Sequence, residues 1–498
     1  MTVQDQAQTS GASEELRGFQ ARFDALLDEV QADAQLRLER WQPWLERQSY
    51  LPSAGNLAAY LALRSRDVQD IQVELVTWGL SALGRCEPYV MPNLLAVRRG
   101  LAALVGETSR PERESFRALG DRLEVQTREL FGDALLPAIM VTFPSEAADD
   151  PVLVRELLDA GMTVARINLA HDDEAAWSRM LGHLQAACRE QGKACRVLMD
   201  LAGPKVRTGE PYWPRKTREK RLHVGDVLVL GADGAALPPD LPGTTCTLPD
   251  AVRQVQIGQS VWIDDGKLGT VVEACDQNVL MLRVTHAPQK GAKLKAEKGI
   301  NFPDTALDLP ALTEKDRRDV RFAAHHADMV GYSFVQTVED VQGLLDALKA
   351  VNAPDTLGIV LKIETKLAVQ NLADLMVSSA GSRPTGVMIA RGDLAVELGF
   401  ARMTEIQEEV LWLSEAAHLP VVWATQVLEG LVKKGEAKRG EFTDAANGVR
   451  AEVIMLNKGP FVVEGVRELA GIIARMKPNF QKKRPLFRAL NIAQLSEG

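Results

Sequence analysis

From Ala138 onward the chain alternates short apolar runs with amphipathic stretches of helical period. The runs are AIMVTF at 138–143, TVARIN at 163–168, CRVLMD at 195–200, ADMVGYSF at 327–334, GIVLKIE at 358–364, GVMIARGD at 386–393, LPVVWATQ at 419–426 and EVIMLNKG at 452–459. Segments with apolar positions at helical spacing follow most of them, for example 151–160, 338–350, 402–417 and 462–476. Near-continuous apolar runs mark strands buried on both faces, and strict β/α alternation places such strands in a parallel sheet covered by helices. Eight units predict an α/β fold, a closed (β/α)8 TIM barrel. An open doubly wound sheet is the alternative, but no GxGxxG follows the first strand.

The pattern before Ala138 is different. Residues 1–14 are polar and are expected to be disordered. From Glu15 the apolar positions Leu16, Phe19, Phe23, Leu26, Leu27 and Val30 recur at helical spacing, and further helical stretches are expected near 55–65, 67–80, 87–106 and 111–131. Residues 1–134 therefore read as an all-helical unit without a catalytic motif. A second departure lies between the third and fourth strands, a crossover of more than 120 residues with a β-rich centre. Alternating segments at 222–231, 259–274 and 279–287, with an Asp264-Asp265-Gly266 turn, predict a small β domain inserted over about 211–302. The barrel then comprises 135–210 and 303–478, and 479–498 is a tail.

Composition narrows the class. Of 498 residues, 46% are apolar, enough for a large core, and the net charge of −9 argues against nucleic-acid binding. Cys86, Cys188, Cys195, Cys246 and Cys275 form no CxxC pair, which disfavours a disulfide framework or structural zinc. The amino terminus lacks a signal-peptide pattern and no apolar run reaches membrane-spanning length, so a cytoplasmic protein is expected.

The polar residues gather where a barrel of this type keeps its active site, at the carboxyl ends of the strands. Strand two ends with Arg166, Asn168 and His171, strand three with Asp200, Lys205 and Arg207, and strand four with Ser333. Strand five ends with Lys362 and Glu364, strand six with Arg391, Gly392 and Asp393, and strand seven with Thr425 and Gln426. Glu364 and Asp393 are two carboxylates on adjacent strands, suited to an oxygen-ligated cation such as Mg2+. With Arg166 and Lys362 beside them, the set fits an anionic group, and a phosphoryl group in transfer is expected. No GxxxxGK[ST] is present, which excludes a P-loop kinase.

An ordered series of segments then resembles the pyruvate kinase family over about residues 137–476. It comprises GMTVARINLAH (161–171), MDLAGPKVRTG (199–209), IDDGKLG (263–269), KGINFP (298–303), LPALTEKDRRDV (309–320), YSFVQTVEDV (332–341), LKIET (361–365), ARGDLAVELG (390–399) and WATQVLE (423–429). The resemblance implies a (β/α)8 barrel with a small β-barrel lid, and transfer of the phosphoryl group of phosphoenolpyruvate to ADP, giving pyruvate and ATP. It implies Lys362 and Arg166 at the phosphoryl group in flight, with Glu364 and Asp393 holding Mg2+, or Mn2+ in its place. It further implies Thr425 near the carbon that gains a proton, Ser333 and Gly392 at the substrate, and Asn168, His171, Arg207 and Lys298 toward the nucleotide and its phosphates.

Several positions depart from the family pattern. The monovalent-cation site of many members uses an Asn, a Ser, an Asp and a Thr. Here Asn168 and Asp200 stand, but Ala170 and Leu201 replace the other two, and Lys205 stands where many members have Glu. Lys205 with Asp200 is therefore expected to supply the positive charge and make K+ unnecessary. Phe143, in place of a glycine, is expected to crowd the nucleotide. The strand-eight loop, Asn457-Lys458-Gly459-Pro460, departs from the usual Ser-Gly-Glu-Thr. That change motivates an alternative, a phosphotransferase on another enolpyruvate-like substrate; a catalytically weak metabolite sensor is a third reading. A homo-oligomer is expected, a dimer rather than a tetramer, without the family's C-terminal effector domain.

Overall fold

The computed structural model describes residues 3–107, 113–133, 137–215, 217–305, 307, 309–482 and 484–485. Eight parallel strands close into a barrel in chain order: β1 (Ala138–Thr142), β2 (Val164–Asn168), β3 (Arg196–Asp200), β4 (Met329–Tyr332), β5 (Gly358–Ile363), β6 (Thr385–Ala390), β7 (Val421–Ala424) and β8 (Val453–Leu456), with β8 paired back onto β1. Every predicted run is a strand. The sixth stops sooner than its apolar pattern, because Arg391–Leu398 is a helix. Arg391, Gly392 and Asp393 thus form a helical first turn rather than a strand end.

Strand parity explains what reaches the barrel axis. Successive side chains of a strand point to opposite faces. Met140, Val164, Leu198, Met329, Val360, Met388, Val422 and Val453 share an interior core, whereas Ile139, Val141, Ala165, Val197, Ile359 and Leu361 pack outward with the surrounding helices. Two residues beyond Val164, Leu198 and Val360 come Arg166, Asp200 and Lys362, and two beyond Lys362 comes Glu364. The same parity that buries the core at mid-barrel delivers these charges to its carboxyl end.

The insertion forms a six-stranded sheet of Val227–Ala232, Gly243–Cys246, Ser260–Ile263, Leu268–Cys275, Val279–His286 and Ile300–Asn301. Its separate apolar core runs from Val206 to Phe302. The Asp264-Asp265-Gly266 turn has all three residues at positive φ, at 58°, 54° and 83°. Two short strands, Gly243–Cys246 and Ile300–Asn301, and a helix, Pro249–Gln254, go beyond the sequence expectation.

The amino-terminal unit consists of helices Val3–Trp41, Leu51–Arg64, Gln69–Thr77, Val90–Leu104, Glu114–Gly120 and Arg122–Phe131. The first corrects the expectation of disorder over 3–14, and residues 1 and 2 of that expectation lie outside the described residues. Nothing in that stretch interrupts a helix, since it holds no proline and one glycine, Gly11. The unit docks on two barrel helices. Trp41 Nε1 donates to Asp374 at 2.8 Å and Asn56 Nδ2 donates to the Ala416 carbonyl at 2.8 Å. Its last helix closes the barrel's amino-terminal end, where Leu130 and Phe131 join the interior core. Gly358 and Gly386 make room for this plug: a Cβ at either position would lie 2.1 Å or 2.8 Å from a methyl of Leu130.

Candidate active site at the barrel mouth

Five polar residues at the carboxyl end of the barrel are withdrawn from water: Arg166, Asp200, Ser333, Lys362 and Glu364 are each 1–8% exposed. Burying such charges costs several kcal/mol per ion unless each finds partners. Here they form one network. Arg166 forks onto Asp200, its Nε donating at 2.9 Å, while its Nη1 donates to Thr142 Oγ1 at 2.8 Å. Lys362 Nζ donates to Ser333 Oγ at 2.6 Å and lies 3.1 Å from Glu364 and 3.3 Å from Asp200. Glu364 also accepts the backbone N–H of Phe334 at 2.7 Å.

The electrostatics follow from this packing. Burial disfavours the Lys362 ammonium, but Asp200 and Glu364 outweigh it and hold its pKa above the ordinary lysine value. Burial likewise works against the Asp200 carboxylate, yet Lys362 and Arg166 keep its pKa below the usual range. Glu364 goes the other way: burial, reinforced by Asp393 and opposed by Lys362, raises it. Gly331 on β4 is required by this arrangement, because a Cβ there would sit 2.6 Å from Asp200 Oδ1.

Around the network opens a cavity of about 130 Å³. Ten of the thirteen predicted site residues line it: Arg166, Asn168, Asp200, Lys205, Arg207, Ser333, Lys362, Glu364, Asp393 and Thr425. Gly392 stands directly behind, its N–H donating to Thr425 Oγ1 at 2.8 Å. His171 is outside the wall and exposed; burial, then the charges of Lys458 and Arg207, lower its pKa. Lys298 is turned away, lining a different cavity in the lid with Asp264 at 3.5 Å.

The sequence did not reveal how Thr425 is held. Thr425 and Gln426 have φ of 64° and 58°, the sparsely populated left-handed region. Arg391 fixes the turn: it forks onto Asp444, donates to the carbonyls of Ala424 at 2.9 Å and Thr425 at 2.6 Å, and stacks on Trp423 at 4.6 Å. Asp316 was also missed. Its carboxylate accepts the N–H of Ala202 at 2.9 Å, so it shapes the loop after β3. The Thr313–Asp316 capping box was a visible signal for it. Asp444, on helix Arg439–Gly448, carried no comparable signal.

The family model for the pyruvate kinase barrel domain matches residues 137–460. The chain belongs to the pyruvate kinase family. Curated relatives include the pyruvate kinase of Bacillus licheniformis, 29% identical over 347 residues that cover 68% of this chain and 57% of that protein. That of Geobacillus stearothermophilus is 30% identical over 338 residues, 66% of this chain and 55% of the relative. Human pyruvate kinase PKLR is 30% identical over 355 residues, 68% and 59% of the two chains. The chain thus spans between half and two thirds of the length of these three relatives.

Four of the positions where this chain departs from the pyruvate kinase pattern, Ala170, Leu201, Lys205 and Asn457, are cavity positions. Lys205 does not sit beside Asp200, which Arg166 and Lys362 already occupy. It pairs instead with Asp393, at 2.8 Å and 3.1 Å to the two carboxylate oxygens. Phe143 does not enter the cavity; its side chain is buried in the main core. Among the described residues no group of three or more His, Cys, Asp or Glu side chains could hold a metal. Glu364 and Asp393 share the cavity as a two-carboxylate set, the donor number typical of Mg2+ that completes its shell with water and substrate oxygens. The residues present fit that ion. Among the described residues no helix is long and apolar enough to cross a membrane.

Proposed function

We propose that the barrel mouth moves the phosphoryl group of phosphoenolpyruvate to ADP, giving ATP and pyruvate, with Mg2+ required and K+ dispensable. The observation that carries this reading is the convergence of two buried cations, Lys362 and Arg166, with two carboxylates, Glu364 and Asp393, in one small cavity. Lys362, kept charged by Asp200 and Glu364, offers a fixed ammonium to the oxygens of a phosphoryl group in transit. Arg166, pinned by Asp200 and Thr142, adds a second positive charge in a set orientation. Glu364 and Asp393 would hold Mg2+, which when bound supplies positive charge to the transferred group. Thr425, held on a strained turn by Arg391, places a hydroxyl at the cavity wall, where the enolate left by transfer takes up a proton at carbon. Arg207 and Asn168, also on the cavity wall, would meet the nucleotide.

Dispensability of K+ rests on Lys205, whose ammonium already stands against Asp393 in a wall where Ala170 and Leu201 offer no hydroxyl. The test is ATP formation from phosphoenolpyruvate and ADP with Mg2+, with and without K+, in the wild type, Lys362→Met and Lys205→Met. The expected result is equal turnover in both salts, a loss of about 10³-fold in Lys362→Met, and turnover that depends on K+ in Lys205→Met. Folded wild type that forms no ATP in either salt would refute the reading. If it still bound Mg2+ and nucleotide, the observation that Asn457 faces the cavity would favour a different enolpyruvate-like substrate.

A further inference from the structure

Beside the plug, at the amino-terminal end of the barrel, the described residues surround a cavity of about 1130 Å³ that shares no lining residue with the barrel mouth. Two helices turn matching stripes toward it. Leu181, Leu184 and Cys188 come from Glu174–Gln191; Ala470, Ile473 and Lys477 come from Val462–Met476 and the turn after it. Phe131 ties the cavity to the plug, since it lines the one and belongs to the other. Protein interiors keep few voids larger than a water molecule, and pockets for small ligands run to roughly 1,000 Å³. A hollow of this size with an apolar floor suits a piece of polypeptide better than solvent.

The chain itself returns to this place. After Lys477, which lines the wall, come a single 3-10 turn and a hairpin in which Phe480–Gln481 pairs antiparallel with Arg484–Pro485. Lys482, between the two strands, pairs with Glu452 at 2.7 Å, and the two side chains are 8% and 9% exposed. A buried ion pair of this kind fixes the hairpin, because separating its members leaves uncompensated charge. Phe480 stands opposite Pro485, and paired strand residues lie about 5 Å apart. The backbone thus doubles back and leaves Pro485 one short turn from the cavity wall.

Residues 486–498, LFRALNIAQLSEG, lie outside the described residues. Their sequence places Leu486, Ala489, Leu490 and Ala493 at i, i+3, i+4 and i+7, with Arg488 and Asn491 between them. That is the spacing of an apolar stripe with a polar back. A segment of this length extends to roughly 45 Å at most, ample reach from its starting point. We propose that residues 486–498 fill this cavity, with the Leu486–Leu490 stripe against Leu181, Leu184 and Ile473. The segment then seals the barrel's amino-terminal end beside the plug. The proposal is independent of the chemistry at the barrel mouth.

Cys188, in the cavity wall, reports on the cover, and Cys275, exposed on the lid, is its internal control. Alkylation by N-ethylmaleimide is followed at each by peptide mass spectrometry in three full-length proteins: wild type, Leu486→Asp/Leu490→Asp, and the charge-matched Arg488→Gln/Asn491→Asp. Labelling of Cys188 should rise at least about tenfold in the first variant and stay within about twofold in the second, as for a cover open in a tenth of molecules or fewer. Cys275 should label equally in all three, and thermal melts confirm folding. In Leu490→Cys, a short bismaleimide should join position 490 to Cys188 within one chain, at a yield that dilution does not change. This cross-link decides the matter even where the acidic variant fails to fold. The proposal is overturned by equal Cys188 labelling in wild type and Leu486→Asp/Leu490→Asp, by cross-links to Cys275 in place of Cys188, or by cross-links that form only between chains. The last result would assign the cavity to the same segment of a second copy.

Discussion

The two ends of the barrel solve opposite problems with the same eight strands. At the amino-terminal end, Leu130 and Phe131 plug the bore against Met140, Met329, Val360 and Met388, and two glycines yield space to them. At the carboxyl end the same strands bury Arg166, Asp200, Lys362 and Glu364, and the loops beyond them hold Phe334, Thr425 and Gln426 at positive φ. One end gains from apolar area removed from water, roughly 25 cal/mol per Å². The other carries desolvated charges and strained backbone, features that cost stability and are kept where chemistry needs a fixed electrostatic environment. Apolar packing and buried charge are thus separated along the barrel axis.

The strongest challenge to that separation is Leu130→Ala. Truncating a buried leucine whose space is framed by glycines should cost about 3 kcal/mol, read by denaturant unfolding. Activity per folded molecule should stay within about twofold. A matching fall in activity would mean that the plug and the mouth are coupled, and the comparison would fail.

A pair of pH effects sharpens the contrast, because the two ends should respond with opposite sign. His418 lies just before β7, fully buried, with Nε2 facing the Pro88 carbonyl at 2.8 Å and Nδ1 facing Ser53 Oγ at 2.9 Å. The neutral ring with its proton on Nε2 satisfies both contacts. Burial pushes its pKa down from 6.5 to about 4. Unfolded chains therefore take up the proton first as pH falls, and stability drops between these two values by about 1.4 kcal/mol per pH unit. His418→Asn should flatten that slope in unfolding curves.

Glu397 sits where the lid meets the helix after β6, accepting Asn301 Nδ2 at 3.4 Å. Burial raises its pKa from 4.5 to about 7. Unfolded chains release that proton first, so its contribution is present below pH 4.5 and is lost as pH rises through about 7. Glu397→Gln should add about 1 kcal/mol at pH 8 and nothing at pH 5, by the same unfolding measurement. An unchanged difference across that range would remove Glu397 from the comparison.

Much of this was legible in the sequence, for physical reasons. Eight strands buried on both faces leave eight nearly unbroken apolar runs, and residue parity carried Lys362 and Glu364 to the same cavity as Arg166 and Asp200. What stayed hidden depends on contacts between distant segments. Lys205 and Asp393 are 188 residues apart, and nothing near either foretells their pairing. Leu130 enters the bore from a helix whose own pattern reads as ordinary amphipathic packing. Lys298 belongs to the KGINFP motif, yet its side chain takes the lid side of the chain. Ile300–Asn301 is too short to register as a strand and exists because Ser260–Ile263 offers it an edge.

Gly331 shows how far the site reaches into the rest of the chain. It bears no side chain, touches no substrate, and lies in a strand that reads as plain core. Yet Asp200 occupies the space where its first carbon would stand. A redesign that preserved each charged residue and enriched β4 in strand-favouring valine would displace the most buried carboxylate of the mouth. For anyone rewriting this sequence, the emptiness at position 331 has to be inherited along with the charges.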